Sequence, residues 1–274
     1  MVTPIGTHRS TGHGWLPGLL AGVLTLVGSV ALAQDDVEPA TTFTIDIEGT
    51  PVPESPTLLD AWSRIEAHTT VNWMRAFVVR QDLQAENEQE KRRLQAELEG
   101  LSLQARVLDA PGVAEGLSAW REALDRLDKG RVPGRVDPTW LMANLRDVPQ
   151  VTDIDRIGWC ATPDWVEAWT PLGIERLPWL PEMTTDDLLA ALPSAATERA
   201  DTLQVISPQG EVREIGIAAW NHEQAPLIPG SRLIVAVPLD SVGARWVDDA
   251  LPHFLASRLP GDDCTLVDTD SLYH

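Results

Sequence analysis

The sequence predicts an α+β fold, and three observations support this prediction. A long stretch rich in helix-forming residues runs from about residue 57 to residue 127. Beyond residue 149, short segments separated by Pro and Gly are typical of strands and turns. An amphipathic segment at 241–259 returns to the helical period. Because hydrophobic residues make up 43% of the 274 residues and charged residues 23%, the chain can bury a core.

The first 33 residues are typical of a secretory signal peptide. Arg9 precedes an apolar run that ends in Ala31-Leu32-Ala33, the small-x-small pattern of a signal-peptidase site. An uncleaved membrane anchor is the alternative interpretation. Proline and glycine residues interrupt the apolar run and make it a poor permanent membrane span, at Pro17, Gly18, Gly22 and Gly28. We therefore expect residues 1–33 to be removed during export.

One strand is predicted before the helical stretch. Phe43–Ile47 alternates apolar and polar side chains, as a half-buried strand does. The turn-forming segment Gly49–Pro53 ends it.

Two consecutive helices are predicted between about residues 57 and 130. In the first, three leucines recur on one face, Leu94, Leu98 and Leu101. Pro111 and Gly112 interrupt this pattern. Apolar residues then recur at spacings of three and four, at Leu117, Trp120, Leu124 and Leu127. We interpret the pair as an antiparallel helical hairpin.

Beyond Pro149 the sequence predicts two strands and a short helix. Strands are expected at Trp165–Trp169 and Ile174–Trp179, with a turn between them. Thr184 and Asp187 have the spacing of a capping box, so a helix is expected to begin here. The acids of its first turn are then explained by the helix dipole, and we prefer this to general acid–base chemistry.

Three further strands are predicted after this helix. Thr202–Ser207 and Val212–Ala218 flank a turn at Gly210, which is a hairpin pattern. Arg232–Val237 follows Pro229-Gly230 as the last strand of this region. The order of elements is compatible with a small mixed sheet that holds one helix.

The segment 241–259 is predicted to be an amphipathic helix. Its apolar side carries Trp246, Val247, Ala250, Leu251, Phe254 and Leu255. Such a helix can pack on its own domain, contact a partner, or lie on a membrane. The residues after it, rich in Asp and Ser, are expected to form a loose tail unless Cys264 holds them.

The charge balance excludes nucleic-acid binding through a basic face. Asp and Glu total 41 against 21 Lys and Arg, so the formal net charge is −20. Nucleic-acid binders gain much of their affinity from Lys and Arg placed against phosphates. The same acidity disfavours an anionic membrane surface and repels polyanions at long range. A polymer ligand is therefore expected to be near neutral, or else the contact is with protein.

The cysteines and histidines do not predict a metal site. Cys160 and Cys264 lie far apart without a CxxC motif. The histidines after the signal segment show no ligand spacing, at His68, His222, His253 and His274. In an oxidising compartment the two cysteines either form a disulfide or remain unrelated thiols.

No catalytic motif is recognisable in the sequence. GxSxG, HExxH and phosphate-binding glycine loops are absent. A glycosidase could still bring together two acids that are distant in sequence, and this remains the enzymatic alternative.

Four tryptophans crowd into one short segment, at Trp159, Trp165, Trp169 and Trp179. Indole rings offer flat apolar faces on which sugar rings can stack, so these residues are candidate ligand contacts. The alternative is that they fill a small β core.

Short motifs of the C-terminal half occur in a recognisable order, at Ala200-Asp201, Val205–Glu211, Ala219–Asn221 and Ile228–Leu233. Upstream, Gly130-Arg131 lies before Asp137-Pro138. This combination resembles the GfcC-like capsule biosynthesis family, periplasmic proteins encoded with polysaccharide export machinery. The resemblance covers most of the chain after residue 33 and is most specific over residues 195–240.

The resemblance implies two β-grasp domains, related to the soluble ligand-binding β-grasp domains of outer-membrane polysaccharide export channels. On this basis the first domain spans 34–150, with a helical insertion at about 57–130, and the second spans 151–240. An amphipathic helix at 241–260 and a tail at 261–274 follow.

The resemblance also implies a non-enzymatic periplasmic role in capsule or exopolysaccharide biosynthesis and export, without a cofactor. The expected partners are polysaccharide export or assembly proteins. The family's characteristic arginine corresponds to Arg131, and the alternative is a structural arginine paired with an acid such as Asp137. Trp220 and Asn221 are interpreted structurally, with Trp in the core and Asn satisfying a turn.

Overall fold

The computed structural model describes residues 54–127 and 130–273, together with the backbone of the strand at 41–42. The predicted signal segment 1–33 and the predicted strand Phe43–Ile47 lie outside the described residues. Among the residues that are described, no helix is long and apolar enough to cross a membrane.

The described chain is a mixed α+β structure with two sheets. Its strands are β1 (Thr41–Thr42), β2 (Ala76–Val79), β3 (Arg156–Cys160), β4 (Trp165–Thr170), β5 (Gly173–Pro178), β6 (Thr202–Ile206), β7 (Val212–Gly216), β8 (Arg232–Val235) and β9 (Cys264–Asp268). Its α-helices are α1 (Leu58–Glu66), α2 (Gln84–Val107), α3 (Pro111–Arg126), α4 (Pro138–Ala143), α5 (Thr185–Ala191) and α6 (Val242–Ala256).

The first sheet joins segments from the two ends of the described chain. Its strand order is β1-β9-β3-β2, with β9 parallel to β1 and antiparallel to β3. One face packs on α1 through a core that includes Trp62, Val78 and Ile157. Because β3 and β9 complete this sheet, it extends beyond the predicted first-domain boundary at residue 150.

The segment 261–274 is not a loose tail, because Cys264 holds it through a disulfide with Cys160, which is the exception that the sequence analysis allows. β9 lies inside the first sheet, and Leu266 and Val267 on it are buried. Its pairing partners are about one hundred or more residues away in sequence, so no local pattern shows them. The sequence Cys-Thr-Leu-Val-Asp does carry two β-branched residues, Thr265 and Val267, which favour a strand.

β2 is a strand inside the stretch predicted as helical. All four of its residues are buried, and it pairs antiparallel with β3. The β-branched pair Val78 and Val79 favours a strand here. The long helical pattern on either side masks so short a segment.

The second sheet has the strand order β5-β4-β8-β6-β7, with β4 parallel to β8. α5 covers one face, where Leu188 joins a core with strand residues such as Val166 and Leu233. Thr184 caps this helix in a capping box with Asp187, as the sequence predicts. Gly210 has a φ of +84° in the turn between β6 and β7, a conformation that favours glycine.

The helices α2 and α3 pack on each other and on the other face of the second sheet. The leucines predicted on one face of α2 are buried, as are Leu117, Trp120 and Leu124 of α3. At Gly116 the helix meets the β4–β5 turn so closely that an added Cβ would lie 2.1 Å from the Pro171 carbonyl oxygen. Glycine therefore sets the distance between α3 and this turn.

The helix α6 packs on its own chain. Val247, Leu251, Phe254 and Leu255 are fully buried in the core that α6 shares with α2, α3 and the second sheet. Trp246 is half-buried, with the Arg93 guanidinium 4.0 Å from its ring centroid. Packing on its own domain is therefore confirmed among the three alternatives for this helix, and Val247, Leu251, Phe254 and Leu255 are not available to a partner or a membrane.

Replacing Asp248 with Asn is expected to make stability less dependent on pH. Burial raises the pKa of Asp248 to about 6, although the Val237 N–H donates to its carboxylate at 2.9 Å. As pH falls from about 6 to about 4, the folded state binds a proton that the unfolded state does not, so wild-type stability should rise. Asn keeps the acceptor without the charge. We expect Asp248→Asn to be more stable than wild type by roughly 1–2 kcal/mol near neutral pH, after discounting for partial solvent exposure.

Urea unfolding at about pH 7 and about pH 4.5 measures this difference. The gap between the two proteins should shrink at the lower pH. An equal gap at both values would contradict the assignment to Asp248.

Candidate functional site

Arg131 lies at the C-terminal end of α6, where three arginines gather. Its backbone N–H donates to the Ser257 carbonyl at 2.7 Å, and its Nε donates to the Arg258 carbonyl at 2.8 Å. Arg232 donates to the carbonyls of Leu255 and Leu259 at 3.3 and 3.1 Å. All three arginines are buried.

The helix end explains why positive charge collects here. The last carbonyls of a helix have no intrahelical partner and form the negative end of its dipole. Arg258 closes the arrangement, since its Nε donates to Phe254 and its Nη1 donates to the Leu127 carbonyl after α3. The cluster thus ties the chain around residue 130 to both α6 and α3.

The balance of charge in this cluster is positive. Burial lowers the pKa of Arg131 to about 9, and repulsion from Arg232 and Arg258 contributes. The Nη1 of Arg131 is buried without a hydrogen-bond partner. The guanidinium therefore carries an electrostatic cost that its hydrogen bonds to carbonyls only partly offset.

Glu167 on β4 is the buried carboxylate beside this cluster. It accepts from Arg232 at 3.3 Å, from Arg176 at 2.8 Å and from the Trp169 indole at 2.7 Å. Burial opposes its ionisation, but Arg232 and Arg176 outweigh burial, so its pKa lies below the ordinary value. Glu167 and Arg232 were not identified from the sequence. Glu167 lies between Trp165 and Trp169 in an otherwise apolar run, and this position could have indicated a buried, paired carboxylate.

The predicted pairing of Arg131 with Asp137 is wrong. The Asp137 carboxylate accepts from Arg135 Nε at 2.9 Å and from the Trp140 N–H at 3.0 Å, which caps α4. The capping position therefore holds Asp137 at the start of α4. Arg131 itself is held by main-chain carbonyls, which indicates a structural role.

Arg131→Ala is expected to lower the free energy of unfolding by about 1–3 kcal/mol. The Arg258 carbonyl loses its donor and a void remains, while removal of a repelled buried charge offsets part of the loss. Urea unfolding followed by circular dichroism measures it. Arg146→Ala is the matched control, since Arg146 is exposed and its loss should change stability little. Unchanged stability in Arg131→Ala together with lost polysaccharide would instead mark a direct functional role.

The four clustered tryptophans do not form one surface. Trp159 packs in the first core, 6.5 Å from Trp62, and Trp169 packs in the second, 5.8 Å from Trp120. Trp165 is buried under the Arg176 guanidinium. Trp179 is half-buried and donates to the Leu227 carbonyl at 2.7 Å. Trp159, Trp165 and Trp169 are therefore core residues, as the alternative interpretation expects, and burial removes their faces from a sugar-stacking surface. Of the four, Trp179 keeps part of its surface exposed, and its contact with a ligand stays a prediction.

Trp220 and Asn221 behave differently from each other. Asn221 satisfies the turn as expected, since its Oδ1 accepts from the Ala218 N–H and its Nδ2 donates to the Asp201 carbonyl. Trp220 is 77% exposed, so the prediction that it lies in the core is wrong. The turn that Asn221 stabilises directs its neighbour to solvent.

Cys160 and Cys264 form a disulfide in the structure. They are directly opposite each other on β3 and β9, and both are buried. The bond therefore joins the C-terminal strand to the first sheet. Among the described residues, no group of three or more His, Cys, Asp or Glu side chains could hold a metal ion.

A polar groove of about 920 Å³ lies at one end of the first sheet. Its lining includes the acids Asp155, Asp268 and Asp270 and one basic residue, Arg156. The Tyr273 hydroxyl, in the same lining, is buried without a hydrogen-bond partner, and burial raises the pKa of Tyr273 to about 12. The carboxylates can accept hydrogen bonds from an uncharged polyol, and the hydroxyls can both donate and accept them. The aromatic ring and the apolar residues beside it can contact the carbon atoms of the polyol.

Burial changes the charge that the surface presents. Among the described residues, six basic side chains are buried but only two acidic ones. The buried bases are Arg64, Arg75, Lys91, Arg131, Arg232 and Arg258, and the buried acids are Asp137 and Glu167. The surface is therefore more acidic than the net charge of −20 alone suggests.

The chain is similar to a known protein family over part of its length. Residues 173–260 match the family model described as capsule biosynthesis GfcC, C-terminal. This segment begins at β5 and includes α5, β6, β7, β8 and the whole of α6. The predicted resemblance to the GfcC-like capsule biosynthesis family is thus confirmed over this segment.

Proposed function

We propose that this GfcC-like chain is a periplasmic accessory protein in the biosynthesis or export of a capsule or extracellular polysaccharide. The family match over residues 173–260 is the observation that carries the proposal. The N-terminal segment supports export, since it has the features of a cleaved signal peptide. The chain acts by contact with protein or glycan and not by catalysis.

The fold also supports this assignment. We assign β4 to β8 with α5 to a β-grasp domain, because two hairpins flank one helix and the first and last strands lie parallel at the centre of the sheet. We assign the first sheet with α1 to a second domain of this kind, into which α2 and α3 are inserted. The resemblance likewise implies two such domains with a helical insertion, but the first sheet takes β3 and β9 from beyond residue 150, and α1 and β2 lie within the range predicted for the insertion.

A deletion strain tests the proposed function. Loss of the gene should reduce surface polysaccharide under inducing conditions, and the full chain supplied in trans should restore it. A chain lacking residues 1–33 is the matched control, because without export it should not restore the polymer. Normal polysaccharide in the deletion strain would overturn the proposal, and restoration by the chain lacking residues 1–33 would overturn the periplasmic location.

Glycan contact at the polar groove of the first sheet is a second candidate function. Its three carboxylates favour an uncharged glycan, since they repel polyanions. Calorimetric titration with neutral and anionic oligosaccharides of equal length tests this. Heat from a neutral member that Asp268→Ala abolishes supports it, whereas no heat from any member, or heat that persists in Asp268→Ala, would contradict it.

A further inference from the structure

One row of residues across three strands lines the polar groove at the end of the first sheet. Val79 on β2 lies opposite Arg156 on β3, and Arg156 lies opposite Asp268 on β9. All three residues line the groove, as does Leu266 on β9. Val79 and Leu266 are buried beneath it. This part of the groove therefore offers apolar surface beside one guanidinium and one carboxylate.

Arg156 and Asp268 carry opposite charges but do not pair with each other. Residues that lie opposite each other on antiparallel strands have Cβ atoms about 4.5–5.5 Å apart, so opposite charges at such positions can form an ion pair. Within the described part of the chain, neither side chain makes a hydrogen bond or an ion pair. Both therefore keep their hydrogen-bonding capacity for a molecule in the groove.

The three carboxylates of the groove differ in this respect. The Asp155 carboxylate accepts from the backbone N–H of Gln81, so it holds the chain that leads into α2. The carboxylates of Asp268 and Asp270 accept no hydrogen bond from the described residues. Asp268 is the one of these two that lies directly opposite Arg156.

The backbone around Asp268 is held by contacts that leave its carboxylate unused. The Thr269 hydroxyl donates to the Ile154 carbonyl at 2.6 Å, and the Ser271 hydroxyl donates to the Asp268 carbonyl at 2.7 Å. Pairing with β3 holds the chain on the other side. A ligand would therefore meet a carboxylate whose backbone is already fixed, which lowers the entropic cost of binding.

We propose that Arg156 and Asp268 determine the specificity of the polar groove by binding adjacent hydroxyl groups of an uncharged glycan. The carboxylate accepts from one hydroxyl, and the guanidinium donates to the oxygen of its neighbour. Val79 and Leu266 contact the carbon atoms of the same sugar. This role rests on the proposed function, within which glycan contact at this groove is the second candidate.

The arrangement of charges argues against a charged sugar. A sugar carboxylate that approached Arg156 would also come close to Asp268, which repels it. A protonated amino group that approached Asp268 would in turn come close to Arg156. A hydroxyl carries no charge and both donates and accepts hydrogen bonds, so adjacent hydroxyls satisfy both side chains.

Calorimetric titration with hexasaccharides tests this specificity. The probes are the neutral hexamers of glucose, mannose and galactose, the hexamer of galacturonate and the hexamer of glucosamine. A pH of about 6 keeps the amino groups protonated and the carboxylates ionised. The proteins are wild type, Asp268→Asn, Arg156→Gln and the double variant. Asp249→Asn and Arg146→Gln are the matched controls, since both residues are exposed and lie outside the groove.

We expect at least one neutral hexamer to bind wild type more tightly than the two charged hexamers do. Each single variant should bind this neutral hexamer about tenfold more weakly, because a hydrogen bond to a charged group is lost. The double variant should lose less than the product of the two single losses, because both side chains bind the same sugar. The controls should bind as wild type does.

The variants should also change the selectivity in opposite directions. Asp268→Asn removes the charge that repels galacturonate, so it should narrow the difference between the neutral and galacturonate hexamers. Arg156→Gln should narrow the difference between the neutral and glucosamine hexamers. The urea midpoint of unfolding should stay unchanged in both variants, because neither side chain has a partner in the described chain.

Several results would overturn the proposed pair. These are no binding of any neutral hexamer, tighter binding of a charged hexamer, or unchanged binding in either single variant. A lower urea midpoint in both variants would assign the two residues a structural role instead. Binding that is lost in Asp268→Ala but retained in Arg156→Gln would keep glycan contact at the groove and reject the pair.

This test does not depend on the deletion strain. A polysaccharide defect in that strain without hexamer binding would leave the accessory function standing and reject the pair. Hexamer binding that requires both Arg156 and Asp268, together with normal polysaccharide in the deletion strain, would retain the pair and reject the accessory function.

Discussion

Reduction of the disulfide between Cys160 and Cys264 is expected to lower the free energy of unfolding by about 2–4 kcal/mol. The two cysteines are 104 positions apart, so the bond removes much conformational freedom from the unfolded chain. It also joins β9 to β3, and β9 is the strand that connects β1 to the rest of the first sheet. Without the bond, the C-terminal strand depends on main-chain pairing and its buried side chains alone.

Urea unfolding with and without a reductant measures this effect. The double variant Cys160→Ser and Cys264→Ser is the control, because reductant should not change its stability. Reduction should also speed amide exchange in β9 and β1, and it should speed exchange in the second sheet less. Equal stability of the oxidised and reduced proteins would contradict a structural role for the bond.

Phe254→Ala is expected to destabilise the protein by about 3–5 kcal/mol. Phe254 is fully buried on α6, in the core formed with α2, α3 and the second sheet. The substitution removes a large apolar side chain and leaves a cavity that the surrounding helices and sheet can fill only partly.

Val242→Ala is the matched control on the same helix. Val242 is 76% exposed, so its truncation should change stability by less than about 0.5 kcal/mol. Thermal or urea unfolding of both variants measures the difference. If both variants were as stable as wild type, the apolar side of α6 would be free, and the partner-facing interpretation of this helix would return.

Local patterns predicted most helices and the second sheet. The capping box at Thr184, the turn at Gly210 and the leucine spacing of α2 depend on residues within a few positions of each other. Such short-range features are determined by backbone and side-chain preferences that the sequence states directly. The interruption at Pro111 likewise predicted where α3 begins.

The first sheet was harder to predict because its strands are distant in sequence. β2 is short and lies between helices, and β9 was assigned to a tail. Their pairing depends on hydrogen bonds between segments separated by many residues. The residue pattern of one strand does not indicate which other strand it pairs with. The candidate site was also hard to predict, since the family resemblance pointed to Arg131 but only the folded chain placed Arg232 and Arg258 near it. Glu167 likewise meets Arg232 only through the fold.

The sequence by itself determined the acidic character of this protein, the helical and strand-forming segments, and the resemblance that the family match supports over residues 173–260. Only the tertiary structure decided which apolar surfaces remain exposed. Amphipathicity shows that a helix has an apolar side, but not which neighbour covers it. The apolar side of α6 and three of the four clustered tryptophans were therefore candidate contact residues by sequence, but packing buried them. The same packing left Val107 and Leu108 exposed.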